Sequence, residues 1–138
     1  MVDALRPGGW LVVEDADPAL QPLSCLDPTT EEEELANRIR SGFRSLMVER
    51  GGDLAYGRKL PRLLRGAGLV QVKADAYFPV SHPESATVEL ATISMIREQL
   101  VDHDIASVQE IERHEQAVAA GTVDIVQPPL VTAWGKRT

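Results

Sequence analysis

A chain of 138 residues that is 43% hydrophobic and 25% charged has the size of one domain, and it is too balanced for collagen-like, wholly disordered or disulfide-scaffold classes. Its 14 basic and 21 acidic residues leave a net charge of -7, which argues against the basic face of a nucleic-acid binder. Apolar runs such as Trp10 to Val13 are far too short to cross a bilayer, and the residues after Met1 do not form a secretory signal. The expectation is a cytoplasmic protein with neither nucleic acid nor membrane among its partners. Cys25 is the one cysteine, so there is no internal disulfide and no thiolate cluster for a metal.

In chain order, Val2 to Arg6 reads as the last turn of a helix. Pro7-Gly8-Gly9 then turns into Trp10-Leu11-Val12-Val13, an apolar run bounded by turn residues. That pattern predicts a strand buried on both faces, as in a parallel sheet. Residues 16 to 29 carry three prolines and read as a loop. Thr30 with Glu33 forms a capping-box pattern that starts a helix, and Leu35, Ile39, Phe43, Leu46 and Met47 make its inward stripe. The acidic run Glu31 to Glu34 suits the positive end of that helix.

A shorter helix is predicted from Arg58 to Ala67, with Pro61 in its first turn, Leu60, Leu63 and Leu64 inward, and Gly68 just past its end. Leu69 to Val80 alternates as a second strand. Pro83 suits the first position of a further helix, whose expected stripe is Val88, Thr92, Met95, Ile96 and Leu100. Ser107 with Glu110 caps another helix, closed by Gly121. Val123 to Val126 and Leu130 to Trp134 are expected to form a final extended pair. Strands alternating with helices indicate an α/β layer architecture of about three strands.

Leu5-Arg6-Pro7-Gly8-Gly9-Trp10-Leu11-Val12-Val13-Glu14-Asp15 resembles the motif that leads into the fifth sheet strand of class I S-adenosylmethionine-dependent methyltransferases. Tyr56 to Leu64, followed by Gly66-Ala67-Gly68-Leu69-Val70, is similar to the helix and turn before that family's sixth strand. Pro129 to Arg137 is similar to its last, antiparallel strand. The resemblance implies a partial Rossmann-like methyltransferase fold, the C-terminal half of such an enzyme. It divides residues 1–138 into a strand and loop (1–29), helices and second strand (30–80), a helical insertion (81–121) and a final strand or hairpin (122–138).

The family's glycine-rich cofactor loop follows a strand and opens a helix, where backbone amides can approach the cofactor. Here the only G-x-G, Gly66 and Gly68, lies between a helix and the following strand, and reads as packing and capping. The resemblance implies S-adenosylmethionine as cofactor, while the cofactor-binding residues are unknown and binding by this chain alone is not expected. An apolar edge along Trp10 to Val13 implies a dimer or another homo-oligomer, or pairing with a complementary N-terminal half-chain.

Glu14 and Asp15 stand where the first strand ends, the place where open α/β sheets gather ligands. A carboxylate there can serve as general base or hold a divalent cation. His82, before Pro83 in a strand-to-helix loop, is a third catalytic candidate. Tyr56 and Arg58 flank Gly57 on the side that the resemblance gives to the substrate, and the Arg58 fork suits a carboxylate or phosphate. Against these stand bland readings: Asp17 as a loop cap, Arg58 on a solvated helix surface, His82 at the surface. His103 and His114, eleven residues apart, are not spaced as metal ligands, and no metal is expected. Cys25 reads as inert, and Met47 and Met95 as core filling.

Two functions follow. The first is methyl transfer from S-adenosylmethionine to a small-molecule acceptor by the enzyme of which this chain is a portion. The alternative is a non-catalytic methyltransferase-like module for dimerisation or regulation that binds no cofactor alone.

Overall fold

The computed structural model describes residues 1–80 and 84–138. His82 and Pro83 lie outside the described residues. The chain divides into two compact units, each built from separated stretches of sequence. The first comprises Met1–Gln21, Asp53–Phe78 and Pro128–Thr138; the second comprises Pro22–Gly52 and Pro79–Gln127. Segment 30–80 of the expected division is therefore shared between them, its first helix going with the later helices.

The first unit is a three-stranded sheet with a short helix on it. Strands β1 (Trp10–Ala16), β2 (Val70–Tyr77) and β3 (Leu130–Lys136) lie in the order β1-β3-β2. The last strand in sequence is central and antiparallel to both neighbours, with Val13 opposite Ala133 and Ala74 opposite the same residue. Helix α2 (Leu60–Gly66), entered through a 3-10 turn at Gly57–Lys59, supplies Leu60 and Leu64. With Leu69 and Ala133 they form a small core, against which Leu5, Leu11, Val13 and Val72 pack. Gly68, just past α2, has φ +85°, the left-handed conformation that ends a helix most cheaply with glycine.

Only one face of this sheet is covered. Trp10 is 49% and Val12 63% exposed, so the expectation of a strand buried on both faces in a parallel sheet is wrong. An apolar run fits one covered face as well as two, and the antiparallel partner β3 was not legible in it. Leu63, expected inward, is exposed, because the short helix turns only Leu60 and Leu64 onto the sheet. The β2 ladder is irregular between Val70 and Lys73, where Gln71 adopts φ +54°. Such a bulge blunts that sheet edge, whereas β1 runs in unbroken register.

The second unit is helical. Helix α1 (Glu31–Glu49) starts at the expected capping box: Thr30 accepts from the Glu33 amide and Glu33 accepts from the Thr30 amide. Helix α4 (Val108–Ala120) repeats the device with Ser107 and Glu110, and Gly121 ends it in the left-handed region. Leu35, Ile39 and Leu46 of α1 pack with Ile93, Ile96 and Leu100 of α3 (Glu84–Asp102) and with Ile111 of α4.

The expected stripe of α3 is rotated. Val88 and Met95 are exposed, so Met95 is not core filling, and the buried face runs Ser85, Glu89, Ile93, Ile96, Leu100. Both stripes satisfy a helical period; the ion pairs described below select the one carrying Glu89. Val123 to Val126 forms no strand, which corrects the expected extended pair and leaves β3 without a hairpin mate there. Val123, Ile125 and Val126 are instead buried, the first two in a second cluster with Cys25, Ala36 and Val118.

Candidate functional site

The end of β1 brings one predicted site residue, Arg58, against a buried carboxylate, Asp17. After Ala16 the chain turns at Asp17, whose amide donates to Pro129 O at 2.8 Å. Asp17 is fully buried. Its Oδ2 accepts from the Arg58 amide at 2.9 Å and from Arg58 Nε at 2.8 Å. Its Oδ1 accepts from Arg58 Nη2 at 2.6 Å and from the Leu20 amide at 3.1 Å. These four bonds use the carboxylate fully, and the side-on fork is the strong form of an arginine–carboxylate pair. Hydrogen bonding from the Arg58 side chain holds the Asp17 carboxyl below its usual range against the opposing effect of burial.

Gly57 makes the contact possible. A Cβ there would stand 3.0 Å from Asp15 O and 3.1 Å from Ala16 O, so glycine lets the loop lie against the strand end. Arg58 follows at once and remains 45% exposed along its side chain, so one edge of the pair is buried and the other wet. Lys59 is tied to Asp53 by an ion pair. Tyr56, two residues before Arg58, is exposed.

The predicted residues fall differently from one another. Arg58 is at the site, but its fork is already engaged by Asp17. Glu14 and Asp15 do not act as a pair, because successive strand residues point to opposite faces of the sheet. Glu14 lies on the open face and accepts a hydrogen bond from Thr132 Oγ1. Asp15 is exposed, on the face that carries α2. His82 lies outside the described residues. Asp17 is the loop cap that the sequence suggested, accepting from the Leu20 amide, but its pair with Arg58 was missed because the partner is 41 residues away and no local pattern links them.

The second unit holds a different polar cluster, also missed. Glu89 accepts from Arg40 Nη2 at 2.9 Å and pairs with His114 Nε2 at 2.9 Å. Arg40 Nη2 also reaches Val126 O at 3.3 Å. All three side chains are buried. Burial pushes the Glu89 carboxyl up, but the hydrogen bond from His114 and the charge of Arg40 outweigh it and hold it below the usual range. The cluster joins α1, α3 and α4, and His114 Nδ1 is buried without a hydrogen-bond partner among the described residues. Cys25 is buried beside Asn37, whose Oδ1 accepts from the Ser24 and Cys25 amides at 2.7 and 2.8 Å. Burial first, then the charges of Glu33, Glu89 and Asp124, push its thiol up to about 12, so it stays protonated and inert.

Among the described residues the second unit has an open groove of about 630 Å³ at the start of α1 and a pocket of about 190 Å³ beside Cys25 and Asp124. Neither contains a predicted site residue. Among the described residues no cluster could hold a metal ion, and no helix is long and apolar enough to cross a membrane.

No family model matches the chain, and no curated protein does. Among solved structures it is similar to the Haemonchus contortus Phospholethanolamine N-methyltransferase 2 in complex with phosphomonomethylethanolamine and S-adenosylhomocysteine, at 12% identity and a TM-score of 0.43. The match takes in 99% of this chain and 28% of that one, so the chain spans little more than a quarter of that enzyme's length.

Gly66 and Gly68 are not placed as a strand-to-helix cofactor loop. Gly66 and Gly68 stand at the C-terminal end of α2, where carbonyls rather than amides are unpaired, and a Cβ at either would meet nothing within 4 Å. Neither glycine is there to admit a ligand.

Proposed function

We propose that this chain is the C-terminal portion of a class I S-adenosylmethionine-dependent methyltransferase and carries its acceptor side. In this reading β1, β2 and β3 are strands of the fifth, sixth and seventh type. The observation that carries it is the Leu5–Asp15 motif running directly into β1, with the last strand antiparallel to both others. The cofactor loop would come from outside this chain, which accords with the misfit of Gly66 and Gly68.

The residues here would bind and orient the acceptor. Asp17 holds Arg58 in one geometry, Tyr56 presents a ring and hydroxyl beside it, and Asp15 offers a carboxylate as proton acceptor. Glu14, tied to Thr132 on the other face, drops out of that role. His82, outside the described residues, remains a candidate from the sequence. The free edge of β1 would pair with a strand of the complementary half or of a second copy. Light scattering at micromolar concentration tests that pairing; a strictly monomeric, folded species would count against it.

Calorimetric titration of the chain with S-adenosylhomocysteine tests the reading. Silence from the chain alone, with binding restored by the complementary half, is the expected result. Saturable binding by the isolated chain would overturn the half-site assignment. The alternative, a module that only associates, is favoured by the absence of a strand-to-helix glycine loop from the sequence. It is separated by the same titration, since such a module stays silent with any partner.

A further inference from the structure

We propose that the outer edge of the Arg58 guanidinium, with Arg62 four residues further on in helix α2, binds an oxyanion: a carboxylate or a phosphate group. An arginine has five N–H donors. Asp17 takes the Nε hydrogen and one on Nη2, the side-on edge of the fork. The second Nη2 hydrogen and both on Nη1 make no hydrogen bond among the described residues, and the side chain is 45% exposed. Two of these, one on each terminal nitrogen, form the end-on edge, which donates to an oxyanion bidentately.

Asp17 supplies what an ordinary surface arginine lacks. Its carboxylate is buried, accepts four hydrogen bonds and fixes the plane of the guanidinium before any ligand arrives. A fixed fork loses less side-chain entropy on binding than a free one.

Arg58, Arg62 and Arg65 stand at spacings of four and three residues, which places them on one face of the turn and helix from 57 to 66. Arg62 and Arg65 are exposed and have no ion pair among the described residues. Lys59, on the adjacent row, is already matched by Asp53. The remaining carboxylate of the strand end, Asp15, weakens the local field, so Arg62 is needed to make the face attractive to an anion. The first unit carries eight basic and six acidic residues, the reverse of the balance in the whole chain.

This inference deepens the methyl-transfer reading only in naming the acceptor as an anion. Binding is read without cofactor or turnover, so the two fail separately. The test is titration of the full chain with inorganic phosphate and, in a second arm, acetate, followed by the amide resonances of residues 56–66. Saturable shifts there with either anion are expected, and the tighter of the two identifies the group. Arg62→Gln, at an exposed position, should weaken binding about tenfold with no change in fold, the scale of one charge-assisted contact. Arg58→Lys keeps the charge but loses the second fork, and should weaken it by about as much. Arg113→Gln, in the second unit, should leave it unchanged. No shift at 56–66 up to roughly 100 mM anion, well beyond millimolar affinity, would overturn the proposal. So would equal weakening by Arg113→Gln and Arg62→Gln. Should Arg58→Lys fail to fold, Arg62→Gln decides alone.

Discussion

The two units handle charge in opposite ways. The sheet unit has a net charge of +2, from eight basic and six acidic residues, and the helical unit -9, from six and fifteen. Yet the helical unit buries a polar cluster in which Arg40 and His114 both bond Glu89, with only His114 Nδ1 left without a partner among the described residues. The sheet unit buries only the carboxylate of its main pair and leaves the arginine half in water. A carboxylate bonded from two sides in the interior holds helices together and is used up in doing so. A pair buried on one side keeps donors free, and that is why the ligand-facing proposals attach to Asp17 and Arg58 and not to Glu89.

Substitutions sharpen this contrast. The largest effect should come from Glu89→Ala, which strands a buried arginine and removes the partner of His114. A loss of about 3–5 kcal/mol in urea unfolding is expected, and a loss below about 1 kcal/mol would mean the cluster is wetter than its burial indicates. Next, Asp17→Asn keeps the shape but not the charge, and should cost about 1–3 kcal/mol while releasing Arg58. If stability is untouched, Asp17 does not hold the loop.

Gly42→Ala would drive a Cβ into the Ile105 side chain within the helical unit, for about 1–3 kcal/mol of overpacking. Gly57→Ala meets backbone oxygens at 3.0 and 3.1 Å and should cost less, about 1 kcal/mol. It should, however, displace Arg58, so oxyanion binding ought to fall more than stability does. Equal stability losses at the two glycines would erase the distinction between a packed core and a site loop.

Acid provides a gentler probe of both units at once. Asp17 and Glu89 have folded-state pKa values below those of the unfolded chain. Their stabilisation is complete above the unfolded carboxylate range, near pH 4, and is lost as pH falls through the lower folded values. Wild-type stability should therefore decline below about pH 4, and Asp17→Asn or Glu89→Gln should each flatten part of that slope. An unchanged slope in both variants would place the acid sensitivity elsewhere.

Much of the local structure is legible in the sequence alone. Both capping boxes, at Thr30 and Ser107, work through residues three apart, so the pattern in sequence is the structure. Gly68 and Gly121 end their helices for the same local reason. The α3 stripe was misread because Val88 and Met95 lie on one face and Glu89 on another with equal periodicity. Apolarity favoured the wrong face, and only Arg40 and His114, brought in from α1 and α4, make the charged face the inward one.

The site divides along the same line. Arg58 was legible as a fork beside a glycine, and the motif into β1 marked the strand end where ligands collect. Asp17 was present in the same reading but indistinguishable from a loop cap. The sequence by itself determined where helices begin and stop, which stretches alternate, and which motif enters the first strand, because these depend on neighbours within a few residues. Tertiary structure alone decided that β3 lies between β1 and β2, that one sheet face stays open, and that Asp17 grips Arg58. Those outcomes depend on which distant groups meet, and the free energy of a buried charge is set by its partner, not by its place in the chain.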